Sequence, residues 1–371
     1  MLPPCRLVLM RRCEASNGGG RAEMKNMKAA ITDGKGNVAV KDNIPLPHPD
    51  PYQCLCQMLA CATCTGTDQK IINGTLPWKE NYPGILGHES VGRVIQAGTK
   101  VKYIKEGDIF LRPTACYHKE KLAGYYSLWG GFAEYGLVTD LQALKEDQPN
   151  VPPNDYTIYQ QKIPSELRIP PADATILITL KEVSSFVTRL KIGLGASVAV
   201  LGAGAVGMSI CYFAKLFGAY PVIIIGRREA ALEPARKTGA DFTINNASED
   251  MVAQVRKLTG GRGVDYVIDA AGNPELLTAS AQLLAPNGKM ITYAIHPSHR
   301  QVIDLAKGPG RWELVFAGSD EPGAHQYLLD AVKWNFINPK NFYSHCLPFE
   351  QLAEGFRLIQ KKEAFKVVFE F

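Results

Sequence analysis

The stretch 198–228, VAVLGAGAVGMSICYFAKLFGAYPVIIIGRR, limits what this chain can fold into more than any other. Four apolar residues run into Gly202-Ala203-Gly204-Ala205-Val206-Gly207. An apolar, helix-favouring segment follows as far as Phe217, Gly218 ends it, and residues 222–225 are β-branched throughout. This order is strand, tight turn, helix, strand, the repeating unit of a parallel sheet. The glycines of G-x-G-x-x-G serve different ends. Gly202 permits the turn, Gly204 lets backbone N–H groups approach a pyrophosphate, and Gly207 lets the helix pack closely on the strand. The positive end of the helix dipole then faces the phosphates. Gly202, Gly204, Ala205, Val206 and Gly207 are therefore candidate dinucleotide contacts.

The end of the second strand carries the choice of dinucleotide. A site for NAD places Asp or Glu about 20 residues on, where the carboxylate accepts from the ribose 2′-OH. Here Gly226 is followed by Arg227 and Arg228. Glycine removes the carboxylate that would repel a 2′-phosphate, and guanidinium forks bind phosphate in bidentate fashion. NADP(H) is expected rather than NAD(H), with Gly226, Arg227 and Arg228 as contacts.

A chain of 371 residues exceeds the size at which one core stops growing, so two domains are expected. Residues 27–167 read as short strands with glycine and proline and one or two helical turns. The pattern turns helical over 172–190. Strands are then expected at 242–245, 266–269, 289–294 and 314–317 with helices between them, giving a doubly wound parallel sheet of about six strands. Helices at 325–333 and 349–360 and strands at 342–346 and 366–371 close the chain and return to the β-rich part. The expected division is 27–178 with 322–371 for one domain and 179–321 for the other.

Residues 1–26 differ in character. They are basic, carry a glycine run, and lack both a long apolar core and a small-residue cleavage site, while Glu14 and Glu23 argue against a transit peptide. They read as a disordered extension, with Met24 or Met27 as the expected start. Nine cysteines without regular spacing suit a reducing cytoplasm better than a disulfide framework. The net charge of +5 is scattered, and no apolar run reaches the ~18 residues that span a bilayer, so neither nucleic acid nor membrane is an expected partner.

The chemistry is expected in ACATCTGTDQKIINGTLPWKENYPGILGHESVGRVIQAG. Cys64, Thr67 and Asp68 stand where a loop starts a helix, and Gly87-His88-Glu89 follows a proline–glycine turn. Thiolate and imidazole are ligands that zinc prefers, and a nearby carboxylate can orient the imidazole. Cys61 and Cys64 would be half of a four-cysteine knuckle, but there is no second C-x-x-C. Cys54, Cys56 and Met58 share one face of a strand and read as core. Cys116 and His118 read as structural.

With these residues in view, the chain resembles the zinc-containing medium-chain dehydrogenase/reductase family of alcohol, sorbitol and threonine dehydrogenases. The resemblance rests on the cysteine before Thr67-Asp68, Gly-His-Glu, Gly107-Asp108, GGFAEY, the dinucleotide unit, TGGRGVD and the terminal LPFEQLAEGF…KVV, and it covers 27–371. It implies a GroES-like β-rich catalytic domain joined to a Rossmann domain, with the active site in the cleft between them. It also implies that His88 and Cys64 are ligands of one catalytic zinc, that Thr67 passes on the substrate proton, and that Asp68 and Glu89 are supporting carboxylates. The substrate is then an alcohol/carbonyl pair, in particular a polyol, sugar or other secondary alcohol, and the assembly a homodimer or homotetramer.

Four departures bear on that resemblance. The family spacing is Cys-x-Thr-Asp, one residue shorter than Cys64-Thr65-Gly66-Thr67-Asp68, so an ungapped alignment puts Thr65 in the ligand position. Lys70 stands where the family often has a proton-exit histidine. Ile178 occupies the position of the third ligand. Glu182, one helical turn later, either replaces it or is a surface carboxylate, and Glu89 could also enter the metal shell. Finally, the four-cysteine lobe of a structural zinc is absent, so no second zinc is expected. Two other readings stay open, a zinc-free NADPH-dependent quinone or enone reductase of the same fold and a non-catalytic NADPH-binding protein.

Overall fold

The computed structural model describes residues 26–371, so the extension expected at the N-terminus lies, Asn26 apart, outside the described residues. The glycine-rich unit folds as its pattern requires: strand Val198–Leu201, helix Ala205–Leu216, strand Val222–Gly226. These belong to a six-stranded parallel sheet in the spatial order Phe242–Asn245, Val222–Gly226, Val198–Leu201, Val264–Asp269, Leu284–Thr292, Trp312–Phe316. Along Val198–Leu201 and Val222–Gly226 alternate residues enter different cores. Val200 and Ile224 pack on one face, Ala199, Leu201, Ile223 and Ile225 on the other. Burial on both faces is why these strands are continuous apolar runs. The order reverses between Val198–Leu201 and Val264–Asp269, and this switch point is where a doubly wound sheet opens a crevice at its carboxyl edge.

The β-rich half contains a five-stranded and a seven-stranded sheet. The latter is centred on Gln53–Ala62, which pairs with Glu89–Ala97, Tyr135–Thr139 and the C-terminal strand Val367–Glu370. Cys54, Cys56 and Met58 are buried there. The chain end thus returns to the first half, with His345–Pro348 alongside Val367–Glu370. The strand expected at 342–346 is displaced. Pro339–Phe342 is a 3-10 turn because Asn338 accepts from the Lys340 N–H and Pro339 pre-sets its first residue, so the strand starts only at His345.

The 19-residue helix Pro171–Arg189 joins the halves. It is enclosed on nearly every side, only Thr188 and Arg189 being exposed, and it buries polar residues, Thr179 and Lys181 among them, along with its apolar ones. Ile176, Leu177, Leu180 and Phe186 share one core with Ala60, Val91 and Val368 of the seven-stranded sheet and with Val200 and Ile224 of the parallel sheet. The division expected at 178/179 falls inside this helix. Among the described residues no helix is long and apolar enough to cross a membrane.

Candidate active site

Strand pairing assembles the site. Cys61 lies opposite Ser90 and Ala62 opposite Glu89, so the turn leaving the first strand at Thr63-Cys64 is brought beside the His88-Glu89 that opens the second. Cys64 caps helix Thr65–Ile72, and its backbone N–H donates to Asp68 Oδ2 at 2.9 Å. Cys64, His88 and Glu89 each direct one potential ligand atom into a space where the three lie within 4.8 Å of one another. Thr65 turns away, its hydroxyl donating to the Phe365 carbonyl at 2.7 Å. Of the two residues between which the spacing leaves the choice open, Cys64 is the one that joins this cluster.

His88 Nδ1 stands 3.3 Å from Asp68 Oδ1, and its ring lies 5.6 Å from that of Trp129. Burial disfavours the imidazolium, but the Asp68 carboxylate and the Cys64 sulfur outweigh it and raise His88 well above the ordinary histidine value. Asp68 Oδ1 and His88 Nδ1 are buried without a well-aligned hydrogen-bond partner. Thiol, imidazole and carboxylate gathered at this spacing, with buried polar atoms left over, fit a zinc ion. Thr67 is half-buried one helical turn from Cys64. Lys70 is half-buried on the same helix, its ammonium pushed below the ordinary lysine value by burial, against the pull of Cys64 and Asp269.

Glu89 is held from two sides. Thr179 on the long helix donates to Oε1 at 3.0 Å, and the Lys366 ammonium contacts Oε2 closely. Lys366 is almost fully buried, and it also donates to the Thr63 carbonyl at 2.9 Å and to Thr179 Oγ1 at 3.1 Å.

Glu182, expected as a third ligand, is not one of the three clustered residues. It accepts from Arg112 Nη2 at 2.9 Å. Arg112 is buried, grips Glu321 through Nε at 3.1 Å and Nη2 at 2.7 Å, and donates from Nη1 to the His88 carbonyl at 2.7 Å. The physical reason is direct: a guanidinium within hydrogen-bonding reach satisfies the Glu182 carboxylate where it stands. Ile178 lies fully buried in the apolar core. Thr179, Lys366, Arg112 and Glu321 escaped the sequence reading. A lone lysine in the closing strand AFKVVF was the available signal, because lysine is almost never fully buried unless paired.

The glycine turn has the shape a pyrophosphate needs. Gly202 has φ +106°, a Cβ on Gly204 would meet nothing within 4 Å, and one on Gly207 would lie 1.8 Å from the Gly202 carbonyl oxygen. Helix Ala205–Leu216 starts at Gly204 with no side chain capping it, which leaves its first N–H groups to a ligand. A Cβ at Gly226 would press on Ala203 and Leu232 at 3.0 and 3.1 Å, so an acidic side chain is disfavoured sterically as well as by charge. Arg227 and Arg228 are exposed beside it, and Arg228 donates to the Lys362 carbonyl at 3.0 Å.

Comparison with known proteins agrees with this architecture. Residues 50–148 match the family described as alcohol dehydrogenase GroES-like domain, and 205–332 that described as zinc-binding dehydrogenase. The chain is 31% identical over 358 residues to an L-threonine 3-dehydrogenase of Pyrococcus furiosus, covering 88% of this chain and 93% of the relative. It is 29% identical over 328 residues to an NADP-dependent isopropanol dehydrogenase of Thermoanaerobacter brockii, covering 85% and 91%. Among solved structures, alcohol dehydrogenase TADH from Thermus sp. ATN1 superposes with a TM-score of 0.77 at 25% identity, covering 93% of this chain and all of that one.

Proposed function

The chain belongs to the zinc-type medium-chain dehydrogenase family, and from that premise we propose that it transfers hydride between NADP(H) and a secondary alcohol or its ketone, with Cys64, His88 and Glu89 holding one zinc ion. The observation that carries this reading is the convergence of these three donors beside Thr67. Bound there, zinc would polarise the substrate hydroxyl, and NADP+ in the crevice would accept the hydride. The residues do the remainder. Asp68 orients the His88 ring and fixes the Cys64 backbone, Arg112 holds the His88 carbonyl from behind, and Thr67 takes the substrate proton and passes it to solvent. Lys366 and Thr179 hold the Glu89 carboxylate in place.

Gly202, Gly204, Ala205, Val206 and Gly207 receive the pyrophosphate, and Gly226 with Arg227 and Arg228 admits a 2′-phosphate. A polyol, a sugar or another polar secondary alcohol is the substrate class this reading favours. The edge strand Trp312–Phe316 exposes Leu314 and Phe316, and its free backbone edge supports pairing with a second copy as a homodimer. The test is elemental analysis of the purified chain followed by a screen of secondary alcohols with NADP+. About one zinc per chain and zinc-dependent turnover are expected for one such site. No zinc even after reconstitution, with NADPH-dependent reduction of an enone or quinone, would replace this reading by the zinc-free reductase that Ile178 favours.

A further inference from the structure

On helix Pro171–Arg189 every residue from 174 to 187 is buried except Glu182, whose side chain is 35% exposed. An opening at one point of an otherwise enclosed helix marks a place where the packed halves leave space. The neighbours of Glu182 on the same helical face, three and four residues away, say which space. Thr179 donates to Glu89 of the metal-donor cluster, and Phe186 packs edge-on against Tyr293 of the parallel-sheet half, 4.7 Å between centroids. Glu182 stands between those two contacts, on the floor of the cleft where the halves meet. Arg112 ties it to the cluster, because one guanidinium gives Nη1 to the His88 carbonyl at 2.7 Å and Nη2 to Glu182 Oε1 at 2.9 Å. The electrostatics place it in the same neighbourhood. His88 and Glu89 act on the Glu182 carboxyl, and Glu182, Cys64 and Glu89 add to the burial that pushes the Tyr293 phenol up.

The two oxygens of Glu182 differ. Oε1 accepts from Arg112, whereas Oε2 has no hydrogen-bond donor among the described residues and is not sealed from solvent. The charge around it is already balanced. Arg112 and Lys181 face Glu321 and Glu182, two cations to two carboxylates, with Lys181 Nζ 3.2 Å from Glu321 Oε1. What Oε2 lacks is therefore a hydrogen-bond donor and not a counter-charge, and a neutral O–H supplies the first without the second.

We infer that Glu182 is a specificity-determining residue of the cleft, its Oε2 accepting from a second hydroxyl on the carbon next to the reacting carbinol. The preferred substrate is then a vicinal diol, alone or as part of a polyol. A simple secondary alcohol leaves Oε2 unpaired, and a vicinal amino alcohol brings a positive charge that the balanced cluster does not need. The inference rests on the dehydrogenase reading above and narrows its substrate.

The test compares kcat/KM of the zinc-loaded chain, with the coenzyme it uses, for butane-2,3-diol, butan-2-ol, 3-methoxybutan-2-ol and 3-aminobutan-2-ol. The unaltered chain should favour the diol over butan-2-ol and over the methyl ether, which cannot donate, by about tenfold or more, the worth of a hydrogen bond to a charged acceptor. Glu182→Leu, which keeps bulk and removes the acceptor, should lower the ratio of diol to butan-2-ol by about the same factor, and Glu182→Gln, whose amide still pairs with a hydroxyl, should restore part of it. A merely structural role would lower both substrates together and leave the ratio unchanged, which overturns the inference. So does an amino alcohol used better than the diol, and so does zinc lost from Glu182→Leu, since Glu182 would then hold the metal. Should Glu182→Leu not fold, the unaltered chain decides, and a diol used no better than the ether or butan-2-ol refutes the assignment. A chain that oxidises none of the four overturns the dehydrogenase reading and this one together. One that oxidises butan-2-ol without favouring the diol overturns only this one.

Discussion

Replacing Lys366 by Met tests whether Glu89 belongs to the metal shell. Lys366 is 2% exposed and gives its ammonium to Glu89, to the Thr63 carbonyl and to Thr179 Oγ1. Methionine fills much the same volume but leaves the buried Glu89 carboxylate with only the Thr179 hydroxyl. Removing one partner of a buried ion pair costs about 3–5 kcal/mol, because an uncompensated charge stays behind. Equilibrium urea unfolding of the variant stripped of metal with a chelator should show that loss, and Glu89→Gln in the same chain should recover most of it, since the stranded charge is then gone. With zinc added, the loss should be smaller by about 2 kcal/mol, because the metal replaces the ammonium as partner of Glu89. Coupling is reciprocal, so the zinc affinity of Lys366→Met should exceed that of the unaltered chain by roughly 30-fold. A loss unchanged by zinc would refute Glu89 as a ligand. A loss below about 1 kcal/mol would mean that the pair behaves as solvent-exposed, against its burial.

Other perturbations separate the remaining assignments. Arg227→Asp should shift the ratio of kcat/KM for NADP+ over NAD+ toward NAD+ by about tenfold or more, the worth of a charge-assisted hydrogen bond, and an unchanged ratio would refute the reading of the Gly226 turn. Cys64→Ser and Glu89→Gln should each lower bound zinc in elemental analysis, while Glu182→Ala, which breaks only a contact with Arg112, should retain it; zinc lost from Glu182→Ala alone would reverse the ligand assignment. Burial, reinforced by Lys181, lowers His325 from 6.5 to about 4, so the unfolded chain binds the extra proton between those values. The neutral imidazole therefore contributes stability that is lost as pH falls from 6.5 toward 4, up to about 3 kcal/mol, and His325→Asn should flatten that acid limb in pH-dependent urea unfolding. Phe316→Glu, which places a charge on the exposed edge strand, should shift sedimentation toward the monomer; an unaltered sedimentation coefficient would count against pairing through that edge.

The parallel sheet and its glycine turn were legible in the sequence because their causes are local. A strand buried on both faces must be apolar throughout, and Gly207 cannot be anything larger when a Cβ would strike the carbonyl of Gly202, five residues earlier. The paired motifs at Cys64 and His88 were legible for a similar reason, since each is a short run of donor residues beside a turn. The spacing left open which residue of the Cys64-Thr65 pair joins His88 and Glu89, and packing brought Cys64 there, since the Thr65 hydroxyl is claimed by a carbonyl 300 residues away. Glu182 was drawn off by Arg112, 70 residues earlier, and Glu89 was fixed by Lys366, 277 residues later. Periodicity records which face of an element is apolar, and it carries no record of which buried charge will find which partner. That choice is made by Coulomb energy and desolvation once the halves close on helix Pro171–Arg189. The sequence by itself determined the fold and the kinds of ligand available, and the packed structure decided which of those side chains are free to act.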